Sequence, residues 1–259
     1  MGKEKVKRII LLDEIRGFSV ACMIVYHAFF LLSDVFKLEP GKLLLQFFMP
    51  AQPFISSIFI LVAGISSRLS RSNARRGFKL LLIALGFSLV TIFFLPLMGL
   101  EGLGIYFGIL HFLSVSMLFF AASQKLLDKI PPLWGLLACS LLYFFTANIG
   151  KGFLGFSASS AINLPQKLYE SNYLFPLGIY GPGFYSSDYF PVFPRIFMFL
   201  AGTYFGRALK NIDLPAWVYE RHVKFFEFLG RHSLLIYVAH VPIIYVLVYL
   251  FQAISKFLF

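Results

Sequence analysis

Long apolar runs, separated by short clusters of charged or turn-forming residues, predict seven membrane-spanning helices. They cover about residues 15–36, 50–67, 77–97, 103–123, 132–149, 188–209 and 229–251. Each is near the roughly 20 residues that an α-helix needs to cross a bilayer. The expected fold class is therefore all-α, a polytopic integral membrane protein. Ahead of the first run, GKEKVKRIILLDEIRG is basic with an acidic pair, Asp13 and Glu14, and reads as an amphipathic lead-in. The first run is full length and lacks a small-residue cleavage site, so it is expected to be retained as a span.

The pattern shows no internal repeat, no low-complexity linker and no soluble domain, so residues 1–259 are read as one transmembrane domain. Its one long connection, 150–190, is rich in aromatic residues, among them Tyr169, Tyr173, Phe175, Tyr180, Phe184 and Tyr185. Rings at a polar boundary suit both lipid headgroups and sugar faces. Two readings stand for this loop: an interfacial anchor, or a lid over an acceptor site.

Composition agrees with the pattern: 59% of residues are hydrophobic, 14% are charged, and mean hydropathy is +0.79. In a soluble domain the net charge of +11 would suggest nucleic acid, but here the distribution of the charge decides. Of 23 Lys and Arg, 17 fall in alternate connections, five in the others, and Arg195 lies inside the sixth run. The loop RLSRSNARRGFK, with Arg68, Arg71, Arg75, Arg76 and Lys79, is the densest of the basic connections. By the positive-inside rule these segments and the N-terminus are cytoplasmic, which places the chain in the inner membrane among lipid partners with no nucleic-acid partner. The two cysteines, Cys22 and Cys139, fall in apolar runs and read as small core residues rather than a disulfide framework.

Within this apolar background, polar residues need a reason, because an Arg at a helix centre costs about 2.5–3.5 kcal/mol on insertion scales. In RGFSVACMIVYH, Arg16 and His27 are 11 residues apart. That is three helical turns plus about 20°, so both lie on one face, about 16 Å apart along the axis. His111 in GILHF and His240 in YVAHVP are expected at a depth similar to that of His27, and Pro242 loosens the helix backbone beside His240. None of the three has the paired spacing on one helix that would argue for zinc, so no metal site is expected. Asp188 and Arg195 share a face of the sixth run, with Pro191 and Pro194 between them. Asp188 is read as orienting a histidine or pairing with Arg195. Asp34 is a weaker candidate at the far end of the first run. Gly64, Ser66 and Arg68 join the small-residue end of the second run, LVAGISS, to the basic loop. They could pack helices, contact anionic lipid or hold nucleotide phosphates.

The set LDEIRGFSVACMIVYH, FILVAGISS, FGILHF, DYFPVFPR and GRHSLLIYVAHVPI resembles the bacterial relatives of the heparan-alpha-glucosaminide N-acetyltransferase catalytic domain. That family belongs to the transmembrane acyltransferase superfamily and is related to its acyltransferase-3 branch. The resemblance covers nearly the whole chain, and it rests on the order and combination of short motifs. It departs at Arg195, where an aromatic residue would be expected. It implies acetyl-CoA as donor, entering from the cytoplasm, and acetyl transfer to a glycan or aminosugar on the far side.

Taken with that resemblance, the spacing suggests that Arg16 and the 64–68 segment hold CoA phosphates while the pantetheine arm runs toward His27. His27 would be the general base, imidazole having an ordinary pKa near 6.5; an acetyl-histidine intermediate is the alternative. His111 would stabilise the thioester oxyanion or share the base role, supported by Asp188. Arg195, Asp34 and His240 would contact the acceptor. A homo-oligomer is compatible with the sequence. The competing class is a proton- or anion-coupled transporter, in which the histidines relay protons and Arg16 binds an anionic solute.

Overall fold

In the computed structural model the chain is described over residues 8–100, 102–157 and 160–258. Lys3, Lys5 and Lys7 of the lead-in, and Glu101, lie outside the described residues. Among the described residues six helical stretches are long and apolar enough to cross a membrane: Ile10–Val35, Glu39–Leu69, Asn73–Leu97, Ile109–Leu127, Pro132–Lys151 and Ser233–Ile254. The sixth predicted run, 188–209, forms a helix at Val192–Leu209 that is not among the six. Its apolar content is diluted by Arg195, Arg207 and small residues, and it buries Ile196, Phe199 and Leu200 within the protein. On the spanning helices many large apolar side chains face outward, including Leu82, Leu85, Leu137, Leu141, Leu247 and Phe251. An apolar outer surface of this kind is what lipid solvates and water does not.

The chain divides into two compact units, Met1–Val62 with Asp213–Phe259, and Ala63–Ile212. In the first, α1 (Ile10–Phe30) runs on into a wider π-turn at Leu31–Val35. It starts at Ile10 rather than near 15 because Asp13 and Glu14 are buried and paired instead of ending the helix. α2 (Glu39–Phe48) follows, with Gly41 against the backbone of Leu32 and Phe48 edge-on to Phe29. The first part of α3 (Gln52–Leu69), to Val62, completes the N-terminal portion. After residue 213 the chain returns with α9 (Lys224–Arg231) and α10 (Ser233–Leu258). α1 and α9 touch backbone to backbone. A Cβ on Gly17 would lie 1.8 Å from the Phe226 carbonyl oxygen, and one on Gly230 would lie 1.8 Å from that of Asp13. Only glycine permits this approach, and Phe18 and Phe226 close over it edge to face at 5.6 Å.

The second unit holds the end of α3, α4 (Asn73–Leu89), a further π-turn at Val90–Phe94, and the single helical turn α5 (Leu95–Leu97). It continues with α6 (Ile109–Leu127), α7 (Pro132–Thr146) and α8 (Val192–Leu209). α4 packs on α6 and α7 on α8. α6 begins at Ile109 rather than near 103 because Gly102 takes φ +75° and Gly108 is extended. The core of this unit is Phe112, Phe120 and Phe199, with Ser114 and Ser116 fully buried on α6. The long connection before α8 is ordered by a two-residue ladder, β1 (Phe153–Leu154) against β2 (Ile162–Asn163). Two phenols anchor it further. Tyr169 donates to the Ile149 carbonyl and Tyr189 to that of Phe175.

Candidate functional site

In the first unit α1 is unbroken from Arg16 to His27, so the helical separation of about 16 Å along the axis is kept. Arg16 sits at the charged end of this helix, its side chain 18% exposed, with Nη1 donating to Asp13 Oδ1 at 3.2 Å. Asp13 also accepts from Arg8 Nε at 2.6 Å. This partly exposed contact lifts the Arg8 pKa above its ordinary value, chiefly through the hydrogen bond. Beside them Glu14 accepts from the backbone N–H of His222 at 2.7 Å and of Val223 at 2.8 Å, and from His222 Nδ1 at 3.1 Å. Glu14 thus caps α9, supplying an acceptor where the helix leaves N–H groups unpaired. Glu227, buried on α9, is flanked by Arg221 and Arg231. The acidic pair that reads in sequence as a lead-in is therefore structural. Asp13 orients Arg16, and Glu14 holds α9 across it.

Three turns farther along α1, His27 Nδ1 donates to the Met23 carbonyl at 3.0 Å. Its ring meets that of His240 from α10 edge to face at 4.8 Å. His240 Nδ1 donates to the Tyr237 carbonyl at 2.7 Å. Each imidazole thus spends its Nδ1–H on its own helix, and the neutral ring carries its lone pair on Nε2. His240 is 6% exposed, and its Nε2 is buried without a hydrogen-bond partner among the described residues. A buried acceptor with no donor is costly, so this atom marks a place where a donor from outside the chain would be gained. Asp34 lies on the exposed side of the π-turn, beyond this pair.

The second unit contains the other candidates. His111 is in the first turn of α6. Its Nδ1 accepts from the Gly108 N–H at 3.3 Å, and Nε2–H faces Ser88 Oγ at 3.2 Å, whose hydroxyl in turn donates to the Ile105 carbonyl at 2.6 Å. Both ring nitrogens are therefore engaged, in the Nε2–H tautomer. Asp188 Oδ2 accepts the Ile109 N–H at 3.0 Å, placing a carboxylate at the N-terminus of the helix that carries His111. Gly108 is what lets it approach, since a Cβ there would be 2.5 Å from that oxygen. Arg195 lies with its guanidinium over the Phe190 ring, 4.9 Å from the centroid.

At the basic end of this unit Gly64 packs on α8, where a Cβ would fall 2.1 Å from the Phe199 carbonyl oxygen. Ser66 is half-buried one turn before Leu69. Arg68 is buried, with Nη2 donating to Asp128 Oδ1 at 2.5 Å, while Lys210 Nζ donates to the Arg68 carbonyl at 2.9 Å. Burial, and the neighbouring Arg68 charge, press the Lys210 pKa down. Arg71, Arg75, Arg76 and Lys79 of the same loop are exposed. Arg68 thus differs from its neighbours in being tied to a carboxylate, and the signal for this, Asp128 at 60 residues' distance, is not local in sequence.

Among the described residues no group of three His, Cys, Asp or Glu has the arrangement to hold a metal ion. No curated protein and no solved structure matches the chain. The family model described as heparan-alpha-glucosaminide N-acetyltransferase, catalytic, matches residues 8–242. With that match over nearly its whole length and with several helices of membrane-spanning character, the chain belongs to the heparan-alpha-glucosaminide N-acetyltransferase catalytic family and is a membrane acetyltransferase in kind.

Proposed function

We propose that the protein takes the acetyl group of cytoplasmic acetyl-CoA and transfers it to an amine or hydroxyl of a glycan or aminosugar on the far side of the inner membrane. The observation that carries this reading is the His27–His240 pair, two imidazoles with Nδ1–H tied to their own helices and the orphaned Nε2 of His240 buried beside His27. Arg16, held by Asp13 at one end of α1, is the phosphate ligand, and a guanidinium suits that role by its fork of donors. The pantetheine arm then lies along α1 toward His27.

His27 Nε2 removes the proton of the acceptor as its N or O attacks the thioester carbon. The new C–N or C–O bond forms, the C–S bond breaks, and the imidazolium returns its proton to the departing thiolate. His240 contributes its unpartnered Nε2 as an acceptor for the second proton of an amine or for a neighbouring sugar hydroxyl. His111 has both ring nitrogens engaged, by the Gly108 N–H and by Ser88, so the base role is assigned to His27 and not to His111. Asp188 holds the helix end that carries it.

The test is acetyl transfer in vesicles loaded with acetyl-CoA. His27→Ala is expected to lower the rate by about 10²–10⁴-fold, the usual contribution of a positioned acid or base, with acetyl-CoA binding kept. Wild-type transfer by His27→Ala refutes the base assignment. Failure of the purified protein to bind acetyl-CoA would favour the transporter reading, which needs none.

A further inference from the structure

Within the second unit, at the end of α4 and α6 remote from the basic loop, lies a cavity of about 490 Å³, inside the range of about 300–1,000 Å³ typical of small-molecule sites. Its wall is aromatic, formed by Tyr106, Phe175, Phe184 and Tyr185, with Thr91 and Asn172 as the polar contribution. The rings form a built wall rather than a belt. Phe175 and Phe184 are stacked at 5.2 Å, and Tyr106 stands edge-on to Phe175 at 6.3 Å. Tyr189 is edge-on to Phe184 at 5.1 Å, while its hydroxyl is spent on the Phe175 carbonyl. Of the rings of this loop, Phe156, Tyr173 and Tyr185 are exposed, Tyr173 most at 90%, and Tyr185 stands at the mouth of the cavity.

The chemistry of the lining narrows the occupant. Among the described residues no Asp, Glu, Lys, Arg or His contributes to it, so none of them would compensate a carboxylate, sulfate or phosphate on entry, and an unpaired charge taken out of water is costly. Hydrogen-bonding capacity remains nonetheless. The Tyr106 and Tyr185 hydroxyls have no protein partner among the described residues. Asn172, in the lining, uses Oδ1 to accept the Gly181 N–H at 2.9 Å, and its NH₂ group has no partner among the described residues. Thr91 Oγ1 is committed to backbone on both sides, accepting from Ile105 N–H and donating to the Phe87 carbonyl. The complement of such a site is a molecule with apolar faces, a polar hydrogen-bonding rim and no charge. A lipid tail would leave the phenols and the amide unpaired.

We infer that this cavity is a binding subsite for an uncharged pyranose ring, which stacks its C–H face on the Tyr106–Phe175–Phe184 wall and takes its hydroxyl bonds from Tyr106, Tyr185 and Asn172. This rests on the glycan-acceptor reading in giving the acceptor ring a place. It is tested without acetyl-CoA, so that the two fail separately. The protein is held in nanodiscs, free of sugar detergents, and saturation-transfer NMR is recorded with methyl β-glucopyranoside, with the matching glucuronate and with tetramethylammonium. The glucoside ring protons should receive saturation and the glucuronate should bind at least about tenfold more weakly, equivalent to about 1.4 kcal/mol. Tyr106→Ala should weaken glucoside binding about tenfold, whereas Tyr106→Phe, which keeps the ring and the fold, should retain most of it. Equal binding of glucuronate, glucoside binding untouched by Tyr106→Ala, or saturation transfer to tetramethylammonium with none to the glucoside each overturns the assignment.

Discussion

Replacing Gly17 by Ala tests the reasoning most sharply, because local and tertiary effects there have opposite signs. Inside α1 the change should favour the helix by about 1 kcal/mol, the propensity difference between Gly and Ala. The new methyl, however, would lie 1.8 Å from the Phe226 carbonyl oxygen and 2.8 Å from Gly230 N. The atoms it meets are backbone and have no rotamer to change. To reach ordinary contact at 3.4 Å, α9 must move by roughly 1.6 Å, and the hydrogen bonds of Glu14 to His222 and Val223, now 2.7 and 2.8 Å, do not survive that displacement. Each such bond to a charged group is worth about 1.5–3 kcal/mol, and Glu14 would be left buried without partners. The net expectation is a loss of about 2–5 kcal/mol in the docking of α9. Limited trypsinolysis of the purified protein reads this directly, since Arg221 and Lys224 flank the start of α9. Cleavage there should accelerate by at least about thirtyfold, the factor that about 2 kcal/mol implies. Gly86→Ala in α4 is the control, because nothing lies within 4 Å of the added methyl; it should be neutral or slightly stabilising. Equal cleavage of Gly17→Ala and wild type would refute the close α1–α9 crossing.

Asp13→Asn should raise KM for acetyl-CoA with little change in kcat, because it loosens the orientation of Arg16 without touching the reacting atoms. His240→Ala should lower kcat about tenfold or more while His240→Gln, which restores a polar atom, recovers part of it; equal activity of all three would remove His240 from the mechanism. Asp188→Ala should cost about 0.5–2 kcal/mol of thermal stability through the lost cap on α6, with Gly108→Ala giving a comparable loss. The Tyr169 phenol, half-buried and donating to the Ile149 carbonyl, has a pKa raised above its ordinary value by partial desolvation. Its contribution to stability is therefore complete below about pH 10 and lost as pH rises through the higher folded value. Alkaline difference absorbance should show a late-titrating phenol that disappears in Tyr169→Phe.

Much of this molecule is legible along the chain, because a bilayer imposes length and apolarity on each crossing segment independently of its neighbours. The helices containing His27, His111 and His240, and the spacing of Arg16 from His27, follow from that constraint and from helical geometry alone. Partnerships do not. Asp13 and Glu14 look like a charged lead-in until α9, more than 200 residues later, arrives to be capped. Gly17 and Gly230 are ordinary glycines until their backbones meet. Arg68 belongs to a basic loop in sequence but to Asp128 in space. The 150–190 loop has the composition of an interfacial anchor, and only the packing of Tyr106, Phe175 and Phe184 turns part of it into the wall of a cavity. The sequence by itself determined six of the seven spans, the family and the 11-residue helical spacing of Arg16 from His27, since these depend on local periodicity and composition, whereas it placed His111 well inside a span and the structure puts it in the first turn of α6. Tertiary structure alone decided that His27 pairs with His240, that both nitrogens of His111 are spent, and which charges are neutralised, because each depends on contacts between residues far apart in the chain.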